Sequence, residues 1–295
     1  MRLAVTGGTG LVGRFLVEEA LAAGDSVLSL TRRPPAPGFF PGAVEHAAYD
    51  LTGPPPALDG VDALIHAGFS HVPGKYRGGE GDDPDGFLRA NRDGTLRLFE
   101  AADRARVGRV IFLSSRAVYG DYPPGTELSE QMPPRPDTLY GRVKREAEAA
   151  LAAMAGGVTL RATGVYGPAG PGQRHKWADL FARFLAGAPI EPRRGTEVHG
   201  ADLAAAVRLA LAAPADRLGD GVFNVSDLLL DRRDLLAEVA RATGCPHPLP
   251  AESEAALSVM RCDRLAALGW RPGGMARLRA TLPALLDGLA AARRP

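Results

Sequence analysis

Cysteine is nearly absent: the 295 residues contain two, Cys245 and Cys262, without the paired spacing of a zinc site. A disulfide scaffold is excluded, and a reducing, cytoplasmic setting is expected. Charge of one sign is missing as well, since 35 Lys and Arg against 34 Asp and Glu leave a formal net charge of +1. Such a balance supplies no long-range field for a polyphosphate backbone, so nucleic acid is not an expected partner. Long apolar runs are also lacking. The most apolar helical stretch, Leu203 to Ala213, is too short for a bilayer and carries Arg208, and Met1 leads straight into a strand pattern without a secretory leader. No membrane association is expected. The histidines His66, His71, His175 and His199 show no metal-ligand spacing, and no metal is expected.

What is present fits a globular enzyme: 45% hydrophobic and 23% charged residues can bury a sizeable core. Short apolar runs at Leu3 to Val5, Val27 to Leu30, Ala63 to His66, Val110 to Leu113 and Val158 to Leu160 read as strands. Helical spacing separates them at Leu11 to Ala23, Phe87 to Ala105 and Asp137 to Met154. The alternation predicts an α/β fold, a doubly wound parallel (Rossmann) sheet covered on both faces. Beyond the Pro/Gly elbow at Gly167 to Gln173 the rhythm loosens into helices at Trp177 to Ala186 and Ala201 to Ala213, a strand at Val222 to Val225 and three further helical stretches. The expected division is a dinucleotide-binding domain of residues 1–166 with 197–228, and a smaller interleaved substrate subdomain of 167–196 with 229–295. Two long loops, Phe69 to Gly86 and Gly120 to Pro136, are expected to border the site.

The run Thr6-Gly7-Gly8-Thr9-Gly10-Leu11-Val12-Gly13 follows the first strand and opens the first helix. Glycines at 7, 10 and 13 permit a tight turn, close approach of backbone to a pyrophosphate, and close packing of helix on strand. At the end of the second strand, where an acidic residue would hold the ribose of NAD, stand Thr31, Arg32 and Arg33. Arginine there pairs with a 2′-phosphate, so NADP is favoured and NAD is the alternative.

Lysine occurs only at positions 75, 144 and 176, which makes the pair Tyr140 and Lys144 informative. Four residues apart on a helix, they share a face, and an ammonium there lowers the cost of a phenolate. A phenol titrating near pH 10 needs such a neighbour to act as acid or base near neutrality. Ser114 and Ser115 close the strand before it, at the carboxyl edge where such sheets bind ligands.

Taken together, these residues resemble the extended short-chain dehydrogenase/reductase superfamily, in particular its NAD(P)-dependent epimerase/dehydratase family. The likeness runs through Thr6 to Gly13, Asn91 to Thr95, Phe112 to Ser115 with Val118 to Gly120, and Tyr140 to Lys144. It continues in Leu160-Arg161, Val165 to Pro168, Asp202 to Ala204, Phe223 to Val225 and Leu268 to Pro272. The resemblance implies a Ser115/Tyr140/Lys144 catalytic site, Ser115 being placed by its distance from Tyr119. It also implies that Gly7, Gly10, Leu11 and Val12 cradle the pyrophosphate, that Asp50 and Leu51 meet the adenine, and that Ala67 and Gly68 pass the nicotinamide ribose. Asn91, Thr163, Tyr140 and Lys144 would add further cofactor contacts. A homodimer through Phe87 to Ala105 and Asp137 to Met154 is the family's implied assembly.

Departures from the family pattern bear on the substrate. Gly164 stands where sugar-nucleotide epimerases of the family carry asparagine, and Arg116-Ala117 where its dehydratases carry an acidic pair. The expected activity is therefore hydride transfer to or from a hydroxyl or carbonyl carbon of a small-molecule substrate. The alternatives are a UDP-sugar 4-epimerase with tightly held NAD, or a cofactor-sensing protein without turnover. Loss of Tyr140 or Lys144 would have marked the last, and both are present. Arg174, His175 and Lys176 are expected to form a basic lid for an anionic substrate, and Glu130 to fix the path of its loop.

Charge-assisted hydrogen bonds to a phosphate contribute about 1.5 to 3 kcal/mol. Replacing Arg32 and Arg33 together by alanine should then weaken NADP roughly tenfold or more and spare NAD. Calorimetric titration of both nucleotides measures this; equal losses, or a wild type that prefers NAD, would overturn the assignment.

Overall fold

The computed structural model describes residues 1–72, 75 and 78–291; Pro73, Gly74, Tyr76 and Arg77 of the Gly-rich loop lie outside the described residues. Elements are labelled in chain order. The strands are β1 (Arg2–Thr6), β2 (Ser26–Thr31), β3 (Glu45–Ala48), β4 (Ala63–His66), β5 (Arg109–Ser115) and β6 (Glu127–Leu128). They continue as β7 (Gly157–Ala162), β8 (Gly164–Tyr166), β9 (Arg194–His199), β10 (Val222–Val225), β11 (Leu228–Asp231) and β12 (Val259–Met260). Seven of them form the main sheet in the order β10-β7-β5-β4-β1-β2-β3, every pairing parallel. The order reverses beside β1, which pairs with β2 on one side and β4 on the other. A crevice opens at the carboxyl ends of strands at such a reversal, and this fixes where a ligand can sit.

Strand periodicity explains the two covered faces. Leu3, Val5, Ile111 and Leu113 point into one apolar cluster with α1 (Leu11–Ala22), while Ala4, Val110 and Phe112 point into the other. After α2 (Pro84–Leu88) and a π-helical turn at Arg89–Asp93, the second cluster is closed by α3 (Gly94–Arg104) and α4 (Leu139–Ala152), with Leu98, Phe99, Ala147 and Leu151 as principal contacts. The expected helix Phe87 to Ala105 is thus longer and interrupted: it starts at Pro84 behind an Asp83 cap that accepts from Gly86 N at 2.7 Å. Helix α4 starts later than Asp137, because Thr138 caps it by accepting from Gly141 N at 3.1 Å. Strand β3 was invisible as an apolar run since Glu-His-Ala-Ala lies on the sheet edge, where one flank stays wet.

The remaining helices are α5 (Ala178–Leu185), α6 (Gly200–Ala212), α7 (Ala215–Leu218), α8 (Arg232–Thr243), α9 (Asp263–Ala267) and α10 (Gly274–Ala291). Helix α6 packs with α1 on the first face. A small sheet, β11-β9-β8, and the helices α5, α8 and α10 enclose a third cluster around Tyr166, Trp177, Phe181, Leu235 and Leu282. Leu265 and Trp270 return to the first cluster, where Trp270 Nε1 donates to Asp202 O at 2.8 Å.

A polar network runs through the sheet beneath the crevice. Arg161 on β7 donates to Glu148 on α4 at 2.7 to 3.2 Å and to Tyr119 Oη at 3.0 Å. Tyr119 donates to Asn224 Oδ1 at 2.7 Å, and Glu130 accepts from Asn224 N at 2.9 Å, which ties the Pro-rich loop to β10. Both members of the Arg161–Glu148 pair are buried, with side-chain exposures of 5% and 7%. Removing one partner strands a buried charge, so Arg161→Met should lower stability by about 3 to 5 kcal/mol, and adding Glu148→Leu should recover part of it. Urea unfolding of the single and double variants measures the difference; a single-variant loss below about 1 kcal/mol would show that the pair is dispensable.

Candidate active site

The loop from β1 to α1 is built around close backbone contacts. Gly7 has φ +67° and lies against Gly68, where an added Cβ would stand 2.8 Å from the Gly68 Cα. A Cβ on Gly13 would fall 2.1 Å from the Gly7 carbonyl oxygen. No acidic side chain occupies the first turn of α1, so its unpaired N–H groups face an electrically open site. Such a cradle suits a pyrophosphate. The buried Thr163 hydroxyl lacks a hydrogen-bond partner and lines the same cavity, a second feature that fits a polar cofactor.

That cavity holds about 1910 Å³ and follows the carboxyl edge of the sheet. Gly7, Gly10, Leu11, Val12 and Gly13 line it, as do Thr31, Arg32, Arg33, Asp50, Leu51, Ala67, Gly68 and Thr163. So do Ser115, Tyr140 and Lys144. Arg32 and Arg33 are exposed at one end, and Thr31 Oγ1 shapes their turn by donating to Arg33 O at 2.8 Å. Asp50 spends one oxygen on the backbone N–H and hydroxyl of Thr52, at 2.8 and 2.6 Å, which holds its carboxyl below the usual range.

Asn91 is the exception. It is buried away from the cavity, accepting from Ser70 N at 2.7 Å and donating to Ser70 O at 2.7 Å and Phe87 O at 3.0 Å. All its polar atoms are engaged with backbone, so in this structure it grips a cavity-lining segment instead of touching a ligand.

Lys144 is buried, and its Nζ donates to the Leu113 carbonyl at 2.7 Å. The ammonium lies 4.5 Å from the Phe69 ring centroid, 4.6 Å from that of Phe112 and 5.8 Å from that of Tyr140. Burial brings its pKa down to about 7, with Glu148 opposing the shift. The two serines divide their roles by strand alternation. Ser114 is buried and donates to Glu148, whereas Ser115 is half-buried at the cavity and accepts from Ala117 N at 3.2 Å. This arrangement can hold a carbonyl or hydroxyl oxygen beside a phenol whose proton a neighbouring ammonium makes easier to move.

The basic lid is not formed as expected. Arg174 is paired with Asp179 at 2.7 Å, Lys176 with Glu197 at 2.5 Å, and His175 is buried, which depresses its pKa. Unneutralised charge lies elsewhere in the cavity: no carboxylate pairs with Arg193 or Arg232 among the described residues, and Arg232 Nη1 donates only to Glu191 O, at 3.0 Å. Neither arginine stood out in a chain with 35 basic residues. Phe69 lines the cavity from the loop expected to border the site, whereas Glu197 and Leu235 line it without an advance signal, because the strand and helix carrying them are distant in sequence. His199, at the end of β9, caps α6 by accepting from Ala201 N at 3.0 Å and lies 3.2 Å from Thr281 Oγ1 of α10.

A doubly wound sheet with a glycine cradle at its reversal and a Tyr/Lys pair beside it defines the dinucleotide-dependent oxidoreductases of the extended short-chain dehydrogenase/reductase type. The NAD dependent epimerase/dehydratase family matches residues 3–226, and the chain belongs to that family. One relative is the dTDP-6-deoxy-L-talose 4-dehydrogenase (NAD(P)(+)) of Kitasatospora kifunensis, 32% identical over 76% of this chain and 73% of its own. Another is the UDP-glucose 4-epimerase of Thermus thermophilus, solved with NAD, with a TM-score of 0.76 and 28% identity. It covers 97% of this chain and 99% of the solved one. MoeE5, solved with UDP-glucuronic acid and NAD, aligns over 99% of this chain and 100% of its own at 26% identity and a TM-score of 0.76. Among the described residues no helix is long and apolar enough to cross a membrane.

The depressed Lys144 pKa has a signed consequence for the cofactor-free protein. Between the folded value of about 7 and the unfolded value near 10.4, the unfolded state binds more protons, so the Lys144 contribution to stability rises with pH. Below about pH 7 the full penalty of a buried charge remains. Lys144→Met should therefore exceed wild type in stability by an amount that shrinks on going from pH 7 to 9, by at most roughly 1.4 kcal/mol per unit. Urea unfolding across that range tests it, and a pH-independent difference would show that the lysine does not titrate there.

Proposed function

We propose that this chain catalyses net NAD(P)-dependent oxidation or reduction at a secondary alcohol or carbonyl carbon of a sugar-like, anionic small molecule. The carrying observation is that Ser115, Tyr140 and Lys144 share one continuous cavity with the glycine cradle. A dinucleotide held by its pyrophosphate in that cradle would supply the hydride chemistry through its nicotinamide. Tyr140 moves the proton of the reacting oxygen, Ser115 orients that oxygen, and Lys144 assists the phenolate electrostatically and holds the ribose. Arg32 and Arg33 favour NADP by pairing with the 2′-phosphate. Arg193 and Arg232, which no carboxylate pairs with among the described residues, offer two charges to the anionic end of the substrate. The similarity to a nucleotide-sugar 4-dehydrogenase supports net redox over a closed internal cycle.

On the same reading, the expected interleaved division would set the cofactor against the main sheet and the substrate toward α5 and α8. Both cysteines are free, which suits a cytoplasmic enzyme. A second reading, 4-epimerisation of a UDP-sugar, is favoured by the likeness to the Thermus epimerase. Here Gly164 departs from that pattern: an added Cβ would meet Glu197 Oε2 at 2.6 Å and Lys176 Nζ at 2.7 Å, so an ion pair fills the place of a side chain.

The discriminating experiment incubates the protein with dTDP-6-deoxy-L-talose, UDP-glucose and UDP-glucuronic acid, each with NAD and NADP. Nicotinamide absorbance reports net redox, and chromatography of the nucleotide sugars reports epimers. Stoichiometric reduced cofactor supports the first reading; epimers without net reduction support the second. In whichever reaction appears, Tyr140→Phe should retain cofactor affinity and lose about 10²- to 10⁴-fold in kcat. Near-wild-type turnover would remove Tyr140 from the proton path.

A further inference from the structure

The segment Ala67 to Ser70 forms one wall of the cavity between the glycine cradle and the Tyr140/Lys144 pair. Three of its polar backbone atoms are gripped from below. Gly68 N donates to Thr6 Oγ1 at 2.9 Å, and Asn91 engages both Ser70 N and Ser70 O at 2.7 Å. Two rings complete the arrangement, because Phe69 packs edge-on against Tyr140 with centroids 5.0 Å apart and lies 4.5 Å from Lys144 Nζ. Where this wall stands bears on where the Tyr140/Lys144 side of the site stands.

The two anchors are joined through His66. Thr6 Oγ1 lies 2.6 Å from His66 Nδ1, His66 Nε2 lies 2.9 Å from Thr95 Oγ1, and Thr95 Oγ1 donates to Asn91 O at 2.6 Å. The single hydrogen of each hydroxyl settles every direction. Thr95 gives its hydrogen to Asn91 O, so its oxygen must accept from His66 Nε2–H; Thr6 accepts from Gly68 N–H and gives its hydrogen to His66 Nδ1. The chain is closed only for a neutral imidazole protonated on Nε2. Burial, helped by the nearby Lys144 charge, brings the His66 pKa down to about 3 and keeps it in that state. Asn91 itself sits in the π-helical turn Arg89–Asp93, a local irregularity of the kind that recurs at functional sites.

We infer that Thr6, His66, Thr95 and Asn91 form a buried positioning relay that sets the Ala67 to Ser70 wall at the nicotinamide half of the cavity. His66, Thr95 and Asn91 act without lining the cavity themselves. The inference rests on the dinucleotide reading of the site and adds residues to it. Because the relay supports the nicotinamide half alone, damage to it must separate binding of the whole dinucleotide from binding of its adenosine half.

Thr95→Val keeps the shape of the side chain and removes both the hydroxyl donor and the acceptor, cutting the relay far from the glycine cradle. Titration calorimetry with NAD and NADP, each against its adenosine half (ADP and 2′-phospho-ADP), is the test. The expected result is a roughly fivefold or greater loss of dinucleotide affinity, unchanged affinity for the adenosine halves, and recovery in Thr95→Ser. An equal loss for whole and half, or no loss in a folded variant, overturns the relay while leaving the functional reading intact. A wild type that binds neither dinucleotide overturns both. Should Thr95→Val not fold, nitrogen NMR of histidine-labelled wild type decides: His66 must stay the Nε2–H tautomer from about pH 5.5 to 8, and an Nδ1–H or titrating ring overturns the relay.

Discussion

The contact on which the site depends is the hydrogen bond from the buried Lys144 ammonium to the Leu113 carbonyl. It joins the second turn of α4 to the last residues of β5, and so brings Tyr140 from the helix and Ser115 from the strand to one wall of the cavity. An ammonium taken out of water costs several kcal/mol unless the surroundings answer its charge. The answer comes from aromatic faces at Phe69 and Phe112 and from Glu148 one helical turn on. Glu148 in turn is held by Arg161 and Ser114, so the central sheet carries a polar spine beneath the place where chemistry occurs.

That spine extends to the Pro-rich loop through Tyr119, Asn224 and Glu130. Glu130 therefore has a structural duty. Arg116, where dehydratases of the family carry an acid, donates to Ser258 O at 2.8 Å. Expulsion of water would need an additional acid and base at the substrate carbon, and Glu130 does not line the cavity.

The proposed substrate end of the cavity follows a different logic from the proposed cofactor end. At the cofactor end the backbone does the shaping, through glycines that no other residue can replace without displacing Gly68 or the Gly7 carbonyl. At the proposed substrate end side chains do it, with the Lys176–Glu197 pair closing the space beside Gly164 and Arg193 and Arg232 bringing positive charge that no carboxylate among the described residues pairs with. Backbone shape suits a constant ligand, and side-chain chemistry suits one that differs from enzyme to enzyme.

The amino-acid sequence alone determined the doubly wound fold, the glycine cradle and the Tyr140/Lys144 pair. Each is local: an apolar run, a turn before a helix, or two residues sharing a helical face carries its own signature within a few positions. Strand β3 escaped because an edge strand needs no apolar run, and the start of α4 moved because Thr138, not Asp137, supplies the cap. Tertiary structure decided what depends on pairs far apart in the chain. Asn91 turned from the cavity to Ser70, the expected basic lid was neutralised by Asp179 and Glu197, and Arg193 met Arg232 across separate elements. A charge or an amide has no fixed role until its partner is known, and hydrogen bonds between residues tens of positions apart exist only once the sheet and helices have brought them within reach.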